Sequence, residues 1–372
     1  MKKILIGAIG LLALASCSQN ETLEVNNDGN EIIFGVSTEN ATRVQSGELF
    51  SSSVKPTEFM VFASYNNANF FPNTGVTVKQ DLTDNTKWVT DGKTYYWPNT
   101  GNINFFAVRN GGTLTWNAAD GGSLSSEFTV SKQGVEYPTP NTDDANNQVD
   151  FIYAYATSAK TANKVPLNFK HALSQVVFKA KNTHADIEVQ IDKIAVCFVK
   201  EKGTFTFPTA VDANGSWNLD GSPVYDYVVS FDKTQIVNTV ELTSKAEQSN
   251  DALLLLPQTV GANQPEACYL PNVSSAAEPS RNGFYFLVKL SYKDNTNGVY
   301  LYGSESQTEY VAIPAAIDWK QGKRYVYTFV FGEGMNGGYV PGTLDPVLYP
   351  INFSVSVDDF QDVNEDVNLK TN

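Results

Sequence analysis

Histidine is nearly missing from this chain: His171 and His184 are the only two among 372 residues. A nucleophile activated by an imidazole, or a zinc site built from His and Cys at close spacing, therefore has little to draw on. Cysteine is as scarce, with Cys17, Cys197 and Cys268 alone, which excludes a disulfide-stapled scaffold. Spacing leaves open whether Cys197 and Cys268 pair; two buried free thiols are the expectation. Basic residues are outnumbered, 26 Lys and Arg against 40 Asp and Glu, for a formal net charge of −14. Nucleic acid and anionic headgroups need clustered Lys and Arg, so neither is an expected partner. Beyond residue 16 no apolar run approaches the ~20 residues of a membrane helix, and no stretch carries a convincing helical period over several turns.

What is present begins at the start. Lys2 and Lys3 precede an apolar run from Ile4 to Ala15, and Leu14-Ala15-Ser16-Cys17 closes it. A basic start, a short apolar stretch and small residues before a Cys have the form of a lipoprotein leader. Residues 1–16 are thus expected to be a signal peptide and Cys17 the lipidated first mature residue. Losing Lys2 and Lys3 takes the net charge from −14 to −16. The remaining length suits two domains of ordinary size.

The dominant period along the rest is two. Short runs rich in Val, Ile, Phe, Tyr and Thr recur between turn residues: 31–37, 58–65, 93–97, 103–109, 127–130 and 149–156. A second series follows at 167–182, 187–200, 204–207, 224–231, 239–243, 252–256, 284–292, 309–313 and 324–331. Many short strands with turns between them predict an all-β chain of two tandem β-sandwiches. The small polar segment from Thr157 to Lys164 is the expected divide, giving an N-terminal domain over 17–160 and a C-terminal one over 161–372. Asn214-Gly215 is the best hairpin signal, because both residues accept the positive φ of a tight turn.

Chemistry is harder to find. Gly332-Glu333-Gly334-Met335-Asn336-Gly337 matches a phosphate-binding glycine pattern, but Gly338, Pro341 and Gly342 follow where a helix would have to begin. Asp212 to Trp217 reads as a hairpin with a packed Trp. Asp143-Asp144 and Asp358-Asp359 lack the alternating oxygen ligands of a calcium loop. Paired carboxylates of a glycosidase need not be neighbours, so the sequence leaves that chemistry open. No catalytic residue, metal ligand or cofactor site is assigned, and the chain is read as a non-enzyme.

Two matching strands stand out instead. Ile32, Phe34 and Val36 alternate with Ile33, Gly35 and Ser37; Ile351, Phe353, Val355 and Val357 alternate with Asn352, Ser354, Ser356 and Asp358. Alternate side chains point to opposite faces, so both segments offer the same Ile, Phe, Val row to a groove. Either could replace the other. Arg43, the sole Arg of the first hundred residues, lies in a polar stretch, and the Gly-rich segment from Gly332 to Gly342 precedes the last strand. Together they suggest a start that can be cut and an end that can swing.

These residues resemble the fimbrillins of the Mfa-like kind, subunits of type V pili on certain Gram-negative bacteria. The resemblance is carried by the lipobox at Cys17, the early strand with Thr42-Arg43, Tyr95-Tyr96-Trp97-Pro98 followed by 103–107, the segments 149–154 and 169–174, Trp319 with Gly322-Lys323 before Tyr325, and the ending 351–359. It implies two transthyretin-like β-sandwich domains and export as an outer-membrane lipoprotein. It further implies removal of the first strand (Ile32, Phe34, Val36) by cleavage after Arg43, and polymerisation with other subunits through a donor strand at about 350–360. A rival reading is a monomeric surface lipoprotein that binds a glycan or host ligand as an adhesin, with Tyr95, Tyr96, Trp97 and Trp116 as candidate aromatics.

Overall fold

The computed structural model describes residues 30–38, 57–84, 86–131, 148–160, 163–224, 227–232, 234–244, 252–270, 282–334 and 338–359. The fold is all-β: among these residues the only helical elements are two short 3₁₀ turns, Ala119–Gly121 and Pro265–Ala267. The first half of the chain runs through β1 (Phe34–Thr38), β2 (Glu58–Tyr65), β3 (Ala68–Asn69), β4 (Val76–Gln80), β5 (Trp88–Thr90), β6 (Asn102–Arg109), β7 (Thr113–Asn117), β8 (Ser123–Thr129), β9 (Ile152–Ala159) and β10 (Val165–His171). The second continues with β11 (Ser174–Asn182), β12 (Ile187–Cys197), β13 (Lys202–Thr206), β14 (Ser216–Asp220), β15 (Tyr227–Ser230), β16 (Leu242–Thr243), β17 (Leu253–Leu255) and β18 (Thr259–Val260). It ends with β19 (Tyr285–Asp294), β20 (Val299–Tyr302), β21 (Glu309–Pro314), β22 (Ile317–Asp318), β23 (Lys323–Phe331) and β24 (Ile351–Asp359).

In the first half the strands pair in the order β3-β2-β4-β5-β1-β10-β9-β6, and β6 pairs back onto β2. Hydrogen bonding therefore runs all the way round one core. That core holds Phe34, Phe59, Val61, Trp88, Trp97, Ile103, Phe105, Ala107, Leu167 and Phe169 among others. Strands β2, β6 and β9 read as nearly continuous apolar runs because both of their faces are covered. Phe105 and Ala107 point into the ring, while Phe106 and Val108, the alternate residues, join a second core with Leu124, Phe128, Phe205 and Phe207.

The second half is two sheets packed face to face. One has the order β16-β11-β23-β24, with β17 also on β11; the other has β15-β12-β19-β20, with β21 also on β19. Phe178, Phe286, Tyr327 and Phe329 interlock between them, Phe178 and Phe286 edge-on at 5.7 Å and 86°. A four-stranded sheet, β14-β13-β8-β7, takes strands from both halves, with β8 antiparallel to β13 from Lys202↔Thr129 to Thr206↔Ser125.

Three expectations change. The apolar run 167–182 is two strands, because Ala172 and Leu173 form the passage from β10 in the ring to β11 in the next sheet. The segment Thr157 to Lys164 does not lie between separate sheets: it runs from the end of β9 to the residue before β10, and these two strands are neighbours in the ring. A divide after residue 160 would separate paired strands, whereas strand membership changes at Ala172. Third, Asn214-Gly215 does not turn the β13–β14 hairpin through positive φ; Asp212 takes that conformation, at φ 62°. Gly215 is required for another reason, since a Cβ there would lie 2.1 Å from the Phe205 ring.

Candidate functional site

The first predicted strand is a full member of the ring. β1 runs parallel to β10 in the register Phe34↔Val165 to Thr38↔Phe169, and on its other side Phe34 pairs with Trp88. Just ahead of it, Ile32 N donates to Tyr95 O at 2.8 Å and Trp97 N donates to Asn30 O at 3.1 Å, so the Tyr95-Tyr96-Trp97 segment completes that flank. Ile32 and Phe34 are fully buried, and Val36 is half-buried at the end of the row. Taking β1 out would leave β10 and the flank of β5 and Tyr95 with unpaired backbone, and an apolar trough lined by Trp88, Phe105, Val165 and Leu167.

A side chain also crosses outside β1. Lys164 Nζ, from the residue just ahead of β10, donates to Thr86 O at 2.7 Å and to Thr86 Oγ1 at 3.0 Å, just before β5. Its aliphatic stem passes Gly35: a Cβ there would sit 3.6 Å from Lys164 Cβ and Cδ. The strand is thus held by its buried row inside and by this strap outside. No sequence signal pointed to Lys164, because its role depends on two strands that are parallel neighbours only in the folded chain.

The last strand occupies a different setting. β24 is an edge strand, antiparallel to β23 through nine pairs from Phe331↔Ile351 to Lys323↔Asp359. Ile351 is fully buried and Phe353 is half-buried, its ring 5.9 Å from that of Phe286 and 6.0 Å from that of Phe329. Val355 and Val357 are 40% and 53% exposed. The apolar row is continuous, but only its first half is covered.

Other candidates settle into structure. His171 Nδ1 lies 2.9 Å from Asp150 Oδ1, both side chains buried where the chain leaves the ring. Cys197 and Cys268 are buried thiols in one small apolar cluster, and Cys268 Sγ donates to Gln264 O at 3.2 Å. Burial, reinforced by the Glu266 carboxylate, pushes the Cys268 thiol up to about 12. Trp97 is buried; Tyr95 packs edge-on to Phe71 at 4.7 Å, and Trp116 packs against Phe62 and Phe106. Among the described residues no three His, Cys, Asp or Glu side chains are grouped to hold a metal. Gly332 follows β23, and among the described residues no helix comes after it. Cys17, Arg43 and Asp143-Asp144 lie outside the described residues.

The sequence profile of the fimbrillin-like family matches residues 42–344. The chain belongs to the fimbrillin-like family. The matched span starts just after β1 and ends just before β24. Similar solved structures include a fimbrilin from Porphyromonas gingivalis W83, at 11% identity over 90% of this chain and 98% of that one, with a TM-score of 0.44. A candidate cell adhesion protein from Parabacteroides distasonis matches at 10% identity over 91% and 99%, with a TM-score of 0.48. Another from Bacteroides uniformis matches at 15% identity over 90% and 100%, with a TM-score of 0.43. No curated protein matches the chain.

Proposed function

We propose that this chain is a subunit of a surface pilus that supports adhesion. It is exported as an outer-membrane lipoprotein held by lipid on Cys17. A cut after Arg43 removes β1, and the subunit polymerises with others when the β24 segment of a neighbour fills the vacated place. The observation that carries this reading is the pairing of two facts. β1 is a member of the ring with the row Ile32, Phe34, Val36, its first two side chains fully buried, and the same row recurs at Ile351, Phe353, Val355 on an edge strand with apolar side chains in water. Filling an open groove with a neighbour's strand supplies both backbone partners and apolar cover at once.

The experiment is to express residues 18–372, treat them briefly with an Arg-specific protease, map the cut by mass and run unboiled samples on a denaturing gel. A cut confined to Arg43, followed by a ladder that deletion of residues 351–372 abolishes, is the expected result. Resistance at Arg43, or a cut without change of size, would sink the reading in favour of a monomeric binding lipoprotein.

A further inference from the structure

Burial along β24 falls steeply from one end to the other. At its start, a Cβ built on Gly338 would lie 2.9 Å from Ile351 Cδ1, 2.7 Å from Val311 Cγ1 and 3.1 Å from Val347 Cγ2, so these residues meet in one close-packed seat. Gly334 lies against Asn352 next door, where a Cβ would be 3.0 Å from Nδ2. Phe353 is half-covered, and from Ser354 to Asp358 every side chain is exposed. The ladder to β23 nevertheless runs unbroken through all nine pairs. An edge ladder opens first where least is buried, so fraying starts at Asp359 and meets its main resistance at Ile351.

The groove is graded in a matching way. Superposing the two rows puts Val355 where Val36 is half-buried, Phe353 where Phe34 is buried, and Ile351 where Ile32 is buried. The side chains that leave their own subunit most easily are those that enter the shallow end of the trough. Ile351 is the last to leave and the last to arrive.

Resting on the strand-exchange reading above, we propose that β24 is released in the order of its burial, from Asp359 back to Ile351. Ile351, seated against Gly338, Val311 and Val347, is the latch whose withdrawal limits donation to a second copy of this chain.

Gly338→Ala crowds the seat without altering the donor strand or the groove, and Val347→Ala loosens it from another wall. In each variant of the 18–372 chain, amide exchange at the latched end of β24, Ile351 to Phe353, is measured before any cut, and the assembly rate is measured after it. Both variants should speed β24 exchange about tenfold, and assembly by a similar factor, while β11 amides keep their protection. Faster β24 exchange with an unchanged assembly rate overturns the latch, as does unchanged β24 exchange in both variants. If the cut wild-type chain never assembles although β24 exchange responds as expected, strand exchange itself fails, and the donation role with it.

Discussion

The ring of Phe34 stands edge-on to that of Phe105, centroids 5.6 Å apart and planes at 88°. This contact ties the first strand to the middle of its barrel. Phe34→Ala should lower the stability of the intact monomer by about 3–5 kcal/mol, the usual cost of emptying a buried Phe site. The measurement is a urea titration. After cleavage at Arg43 the variant and the wild type are the same molecule, so their assembled products should not differ; a difference would mean that the strand stays bound.

Lys164 predicts a subtler effect. Lys164→Ala removes the strap to Thr86 without touching the apolar row. Amide exchange over Gly35 to Thr38 should become about twofold to tenfold faster, with little change in global stability. Unchanged exchange would reduce Lys164 to a surface hydrogen bond.

Phe353→Asp places a charge in the row proposed for donation. The monomer should stay folded, because this side chain is only half-covered at a sheet edge. The cut subunit should assemble at less than about a tenth of the wild-type rate, since a carboxylate would have to enter the place of Phe34. Unaltered assembly on the gel would remove β24 from the donor role.

Asp150→Ala leaves the buried His171 ring without its carboxylate partner at the exit from the ring. A loss of about 1–3 kcal/mol is expected, and Asp150→Asn, which keeps an acceptor, should lose less. Urea midpoints of the two variants decide it.

Alkaline pH tests the second half. Burial first, and then Glu266, pushes the Cys268 thiol from its ordinary 9.0 up to about 12. Tyr302 and Tyr327 rise from 10.0 to about 12, burial again being the largest cause. Folded, these acids keep protons that the unfolded chain sheds, so stability is unaffected below about pH 9 and falls from there towards about pH 12. Urea midpoints between pH 8 and pH 11 should decline, and Cys268→Ala should flatten the earliest stretch of that decline. A midpoint that rises over this range would contradict the burial of these groups.

Much of this architecture was legible because alternation survives in the sequence. The rows at 32–36 and 351–357 were readable, and β23 was expected within one residue of where it lies. Alternation says which face a side chain occupies, however, and not whether anything covers that face. Val355 and Val357 carry the same pattern as Ile351, yet they sit in water, whereas Phe353 between them and Ile351 still meets Phe286 of the facing sheet. The run 167–182 hid its break for the opposite reason: β11 begins buried on both faces, and Ala172-Leu173 ahead of it is apolar and buried too, so no polar residue lies within the passage from β10. Asp143-Asp144 and Asp358-Asp359 show how little a pair of like charges says by itself. Here the second pair stands opposite Arg324 and Lys323 at the end of the β23–β24 ladder.

The sheet shared between the halves has a mechanical consequence. In a polymer joined as proposed, a subunit gripped at the groove of its ring and pulled by β24 would carry the load from first half to second through the single backbone at Ala172-Leu173, the five-pair ladder of β8 on β13 and the core the halves share. Strands anchored in both cores make the joint resist bending as well as extension. Under tension such a subunit behaves as a stiff link, and a chain of them gives way at the contacts between links before it stretches within one.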